Sequence, residues 1–133
     1  MTTATGSPTI ARVRSAQIYC ADQDRAKTFW TETLGCELVQ DMPMGPEPGG
    51  KRWIEVRPAG DDTILVLYTP DGQEDRIGTF SSLIFHCADI VATHAALSAK
   101  GVVFSAVPRQ ESWGSWWAQF KDPDGNEYGL GQD

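Results

Sequence analysis

The sequence predicts an α+β chain built from two tandem β-α-β-β-β modules, and three observations carry that prediction. The tripeptide Cys-Ala-Asp stands at residues 20–22 and again at 87–89, about half a chain length apart. A second block recurs in the same order: Trp53, Arg57 and Pro58-Ala59-Gly60 correspond to Trp117, Lys121 and Pro123-Asp124-Gly125. Chance could supply one tripeptide, but two blocks in the same order point to duplication, the first feature to seek in a chain. Finally, each Cys-Ala-Asp closes a run rich in Tyr, Ile and Phe and opens a stretch of helical period, the pattern of a strand passing into a helix.

Residues 13–20 form the first strand, and Asp22 caps the helix that follows, because a short acidic side chain satisfies free N–H groups of a first helical turn. That helix covers 25–34, with Ala26, Phe29, Trp30 and Leu34 on one face, and Gly35 ends it in the left-handed conformation. Three short strands follow, over 36–40, 52–57 and 63–68. Residues 41–51 are dense in Pro and Gly and read as a loop, either a lid over the cavity the sheet encloses or a plain connector. Residues 70–79 link the modules. The second module repeats the scheme: a strand over 82–87, a cap at Asp89, a helix over 90–100 that buries Ile90, Ala96 and Leu97, a stop at Gly101, and strands over 102–106, 116–121 and 127–130. Module 1 thus spans 13–69 and module 2 spans 80–131, within one domain covering 13–133. Residues 1–12 are expected to be a disordered tail.

Composition removes several function classes. Forty-one per cent apolar and 22% charged residues is ordinary globular composition, and no apolar run reaches the length of about 18 that a membrane span needs. The first ten residues lack the basic start and apolar centre of a signal peptide, so a cytoplasmic location is expected. Cys20, Cys36 and Cys87 are odd in number and lack C-x-x-C spacing, which predicts reduced thiols in place of a disulfide framework or structural zinc site. A net charge of −7 repels phosphate backbones and anionic membrane surfaces, leaving a neutral or cationic small molecule as the easier partner.

Two motifs carry a resemblance. Asp22, Arg25, Ala26, Phe29, Trp30, Leu34 and Gly35 match a D-x-x-R-A-x-x-F-[YW]-x-x-x-L-G run, and Phe120, Asp122, Pro123, Asp124, Gly125 and Asn126 match F-x-D-P-D-G-N. With the paired modules, they make the chain resemble the vicinal oxygen chelate superfamily, which includes glyoxalase I, extradiol dioxygenases, fosfomycin-resistance enzymes and bleomycin-resistance proteins. The resemblance implies that the modules curl into a mixed sheet around a cleft. It also implies one divalent metal in catalytic members, held at positions that fall here on Ser15, Leu65, Ser82 and Gly129. None of these is a usual ligand for such a metal, since Leu and Gly bring no side-chain donor and a neutral Ser hydroxyl is weak. No metal and no cofactor are therefore expected. His86 lies four residues beyond Ser82 and His94 belongs to the helix, so neither restores the site.

Alternation along the strands sets the rest of the expected cleft. It comprises Ser15, Gln17 and Tyr19; Trp53, Glu55 and Arg57; Leu65 and Leu67; Ser82, Ile84 and His86; Trp117 and Gln119; and Glu127. Aromatic walls with a few amides suit a flat organic ligand. Trp113 and Trp116 line the cavity or pack at a module or subunit interface. His86 is a hydrogen-bonded filler or, with Tyr19 and Glu127, a candidate acid/base group. Three readings follow. The first is a homodimeric binding protein that sequesters a small aromatic or cationic molecule in a metal-free cleft, as in the bleomycin-resistance branch. The second is a lyase, isomerase or dioxygenase with a relocated metal or cofactor-free acid/base chemistry. In the third the cleft is vestigial and the protein works through its dimer surface.

Overall fold

The computed structural model describes residues 6 and 8–133. Part of the expected tail lies outside these residues, and the stretch 8–14 is exposed and free of helix and strand. Ser15–Tyr19 (β1) leads through Asp22 into Gln23–Thr28 (α1), which widens into a π-helical turn over Phe29–Thr33; Glu37–Pro43 (β2), Arg52–Arg57 (β3) and Ile64–Tyr68 (β4) follow. Beyond a 3₁₀ turn at Glu74–Arg76, the order repeats as Phe80–His86 (β5), Ile90–Ala99 (α2), Val103–Gln110 (β6), Trp116–Lys121 (β7) and Glu127–Gln132 (β8). Two four-stranded sheets result, β1-β4-β3-β2 and β5-β8-β7-β6. In each, the first strand runs parallel to the last, which requires a crossover of helical length, and the remaining pairs are antiparallel. This is the fold that the duplicated sequence predicts. No helix among the described residues is long and apolar enough to cross a membrane.

The Cys-Ala-Asp doublet is a pair of equivalent junctions. The N–H of Cys20 donates to the Tyr68 carbonyl at the end of β4, and that of Cys87 donates to the Gly131 carbonyl in β8. Asp22 and Asp89 then accept from Arg25 N and Ala92 N, capping α1 and α2. Gly35 and Gly101 close the two helical segments at φ 79° and 90°, a backbone region that costs glycine little.

Two strand boundaries and the buried face of α2 differ from expectation. β2 continues to Pro43, so residues 41–43 belong to a strand instead of the predicted loop. Asp41 accepts from Lys27 Nζ at 2.8 Å and Arg52 Nε at 3.0 Å, which ties the segment down, and Pro43 is tolerated at the end of an edge strand. β6 likewise runs to Gln110 through what reads as a loop. In α2, Ile90 is buried and Leu97 half-buried, but Ala96 is exposed. The stripe from Ile90 passes through His94 to Leu97 at helical spacing, and position 96 falls off it.

Both sheets contribute one face to a common core. Ile18, Cys20, Ile54, Val56, Leu65 and Leu67 come from the first, and Ala118, Phe120, Tyr128 and Leu130 from the second. Trp30 joins them. Although it belongs to the first module, its ring centroid lies 5.2 Å from Tyr128 and 5.7 Å from Phe85 of the second, and it is 1% exposed.

The Asp122–Asn126 turn locks the modules from the other side. Asp122 accepts from the backbone of Asp124 and Asn126, from Asn126 Nδ2 and from the Tyr128 hydroxyl at 2.6 Å. Asn126 also donates to the Tyr19 carbonyl and accepts from Gly78 N, while Asp124 accepts from Ala21 N and Arg25 Nη2. Burial pushes the Asp122 carboxyl and the Tyr128 phenol above their ordinary values, the carboxyl against the opposing pull of these hydrogen bonds. The most distinctive motif in the chain is therefore a hinge pin, with no free polar atom offered to a ligand by Asp122.

Candidate functional site

The face of each sheet opposite the core carries the expected cleft residues, and strand register decides which they are. On the first sheet, Gln17 stands beside Val66, which pairs with Glu55, while Ile18 stands beside Leu67, which pairs with Ile54. Ser15, Gln17, Tyr19, Trp53 and Glu55 thus share the outer face with Ile64, Val66 and Tyr68. Leu65 pairs with Val56, stands beside Ala16 and is 3% exposed, so it lies with Leu67 on the core face, and it touches the hollow bordered by Ile84 and His86 from that side. A slip of one residue in reading β4 moves its whole set to the opposite face, and its run of five apolar or aromatic residues shows no alternation to prevent the slip.

Glu55 is the notable member of this face. Trp53 Nε1 donates to its Oε2 at 2.8 Å, and Arg14 Nη2 reaches the same oxygen at 3.3 Å. The indole N–H is the main influence holding the carboxyl below its ordinary range, against burial and with help from Arg14. Glu55 is 3% exposed. The alternation of Arg-Trp-Ile-Glu-Val-Arg in β3 signals an outward acid; the contribution of Arg14, which precedes the expected cleft set, is visible only in three dimensions.

On the second sheet, Ile84 stands beside Gly129 and His86 beside Gly131, and these pair with Gln119 and Trp117. The indole of Trp117 lies across Gly129, where a Cβ would meet ring atoms Cζ2 and Cζ3 at 2.9 Å. Any side chain at 129 would have to displace this ring. Trp117 therefore fills the volume that a metal-binding side chain at 129 would use. Ser82 does not mirror Ser15: it sits in an irregular stretch between Phe80 and Ile84 with φ 64°, exposed and without a registered partner.

The remaining candidates are dispersed. Gln17 and Tyr19 line a hollow of about 170 Å³ with Arg76, Phe80 and Asn126, the Arg76 guanidinium lying 5.6 Å from the Tyr19 ring. His86 and Ile84 border a second, of about 480 Å³, beside Gly60 and Asp61. Trp117 lines a third, of about 370 Å³, together with Trp113, Trp116, Ile84 and Arg109. Glu127 lies 3.7 Å from Lys121 Nζ, whereas His86 is exposed, 3.9 Å from Asp133. β8 meets β5 with Glu127 beside Phe80 and Gly131 beside His86, so Glu127 and His86 are ~13 Å apart along the strands. They cannot act as an acid/base pair on one small substrate within a single chain.

A divalent metal does not fit the implied positions. Leu65 is in the core, Gly129 is under an indole, and Ser15 and Ser82 offer neutral hydroxyls. Among the described residues, no three His, Cys, Asp or Glu side chains come together as a ligand group. Burial pushes the Cys20 thiol up to about 12 and that of Cys36 up to about 11, so neither of these two is an activated nucleophile.

The sequence profile of the Glyoxalase/Bleomycin resistance protein/Dioxygenase superfamily matches residues 10–130. An uncharacterized protein of Bacillus subtilis (strain 168), YetH, is 39% identical over 121 residues, covering 91% of this chain and 98% of its own. A superfamily member of known structure from Sphaerobacter thermophilus DSM 20745 superposes with a TM-score of 0.84 at 33% identity, covering 93% of this chain and 98% of that one. TnmS3, an antibiotic binding protein from Streptomyces sp. CB03234, superposes with a TM-score of 0.78 at 35% identity, covering 95% of this chain and 98% of that one. With its two β-α-β-β-β modules and its Asp122–Asn126 turn, this chain belongs to the glyoxalase/bleomycin resistance protein/dioxygenase superfamily.

Proposed function

We propose that this protein binds and sequesters a small planar organic molecule, aromatic or cationic, in a cleft that needs no resident divalent metal. The observation that carries the reading is Trp117 lying on Gly129: a flat ring occupies a position that the resemblance gives to a metal ligand, and offers the stacking area such a guest needs. Trp53 and Tyr19 supply further rings, and Gln17, Gln119 and Glu127 supply polar contacts. Ser15, Ser82 and His86 belong to the rim of this site. The likeness to an antibiotic binding protein supports the ligand class.

The cleft is completed by a second copy of the chain. In one chain the outer face of the second sheet is open to water, with Ile84 64% and Phe80 48% exposed, and a small cavity binds well only when it encloses most of its guest. Module 1 of one copy facing module 2 of its partner would cover the outer faces of both sheets at once. The three free cysteines and the net charge of −7 support a cytoplasmic dimer without nucleic-acid or membrane partners.

Titration of tryptophan fluorescence with proflavine, a planar cation, and acridone, its neutral relative, tests the reading. Both are expected to quench saturably, and Trp117→Ala is expected to weaken both by roughly two- to tenfold through lost stacking. Quenching by neither compound overturns the proposal, as does a near-stoichiometric divalent ion in protein purified without chelators. Sedimentation velocity should show a dimer.

A further inference from the structure

We infer that Glu55 selects the charge of the guest, anchoring a protonated amine or amidinium on a planar molecule, and that Arg14 is an internal stand-in which that cation displaces. The inference rests on the binding reading above and adds the residue that decides between cationic and neutral guests.

Three polar or charged side chains are buried among the described residues: Asp122, Asn126 and Glu55. The first two are consumed by the turn that pins the modules together. Glu55 has no such role, because it points to the outer face of the first sheet, away from the core and the inter-module contacts. A carboxylate withdrawn from water costs several kcal/mol unless a cation accompanies it. The cation that does so is poorly held. Arg14 makes one contact, at 3.3 Å, through one nitrogen, and its side chain is 62% exposed. Its carbonyl is anchored by Ile64 N, so the backbone stays in place while the side chain can swing out. A pair with one solvated partner is weak, so a bound cation that forms the same contact under cover exchanges a weak partner for a stronger one.

The surroundings suit a flat cation. Trp53 orients the carboxylate by its indole N–H, and its ring stands 6.4 Å from that of Tyr68 in an edge-to-face arrangement. A guest whose ammonium reaches Glu55 therefore lies beside the Trp53 ring, which attracts positive charge, while the Tyr68 ring already carries Lys51 Nζ at 5.4 Å. The other ion pairs of the first sheet differ. Lys27 and Arg52 meet Asp41 where α1 crosses the β2–β3 edge, and Arg57 meets an exposed Glu37 at the same edge. They join the edge strand to its neighbours, whereas Arg14–Glu55 lies on the outer face of the first sheet.

The experiment measures proflavine and acridone affinities at neutral pH for the intact protein and three variants. Glu55→Gln is expected to weaken proflavine roughly tenfold or more, the loss of a charge-assisted hydrogen bond, and to leave acridone unchanged. Arg14→Gln removes the competitor and should tighten proflavine severalfold. Lys100→Gln makes the same change in net charge at the end of α2, beside Thr33, and should leave proflavine unchanged. Equal shifts in Arg14→Gln and Lys100→Gln overturn the inference, since general attraction to an acidic protein would then explain both. So does equal weakening of both dyes by Glu55→Gln. If that variant fails to fold, the comparison of Arg14→Gln with Lys100→Gln decides alone. Failure of both dyes to bind the wild-type protein sinks the cleft itself; binding of both that ignores residues 14 and 55 sinks only the charge assignment.

Discussion

At the residue scale, the contact between Trp117 and Gly129 couples stability to binding. An Ala at 129 must displace the indole, because its Cβ would stand 2.9 Å from two ring carbons. Gly129→Ala should therefore lower stability by about 1–3 kcal/mol, the usual cost of overpacking. Trp117→Ala removes the obstacle, so the double variant should be less unstable than the two single losses added together. Denaturant melts of the four proteins measure this, and simple additivity would show that the ring is free to move aside. Trp117 is readable from alternation alone as a residue on the outer face of its sheet. Its partner is not, because a glycine advertises conformational freedom, whereas here it supplies empty volume that only the neighbouring strand reveals.

At the scale of elements, β2 shows how a side chain overrides a loop-like composition. Asp41 opens a stretch rich in Pro and Gly, yet Lys27 from α1 and Arg52 from β3 both reach it, and the strand extends to Pro43. Burial alone would raise the Asp41 carboxyl, but the two cationic hydrogen bonds win and hold it below its ordinary value. A depressed folded value makes its contribution present above the unfolded value near 4 and lost as pH falls through the folded one. Asp41→Asn should therefore cost about 1 kcal/mol at neutral pH, with the gap from wild type closing below about pH 4. Chemical unfolding at a series of pH values measures it; a gap that stays constant into acid would assign the effect to packing. The helix in the same module was readable down to its cap at Asp22 and its stop at Gly35. The widening of its last turn over Phe29–Thr33 was not, since no local rule distinguishes it from the α-helical period.

At the scale of the molecule, two modules act as one body through Trp30 on one side and the Asp122–Asn126 turn on the other. Asn126→Ala leaves the Tyr19 carbonyl and Gly78 N without their partner and strips one donor from a buried carboxylate, which should cost about 2–3 kcal/mol. Arg25→Ala touches the same turn from a half-exposed position and should cost less than about 1 kcal/mol. Thermal melts compare the two; an equal loss would mean that the turn is held by its charge pair instead of its buried amide.

The duplication, the order of strands and helices, their caps and the residues that could face a cleft all follow from local rules: alternation, helical period and the conformational preferences of Asp and Gly act within a few neighbours. Which face of β4 is buried, where Ser82 leaves its register, that His86 and Glu127 stand apart and that Arg14 covers Glu55 were decided only by tertiary structure. Each depends on the register between strands distant in sequence, and a shift of one residue there reverses every side chain without altering the local pattern from which a strand is recognised.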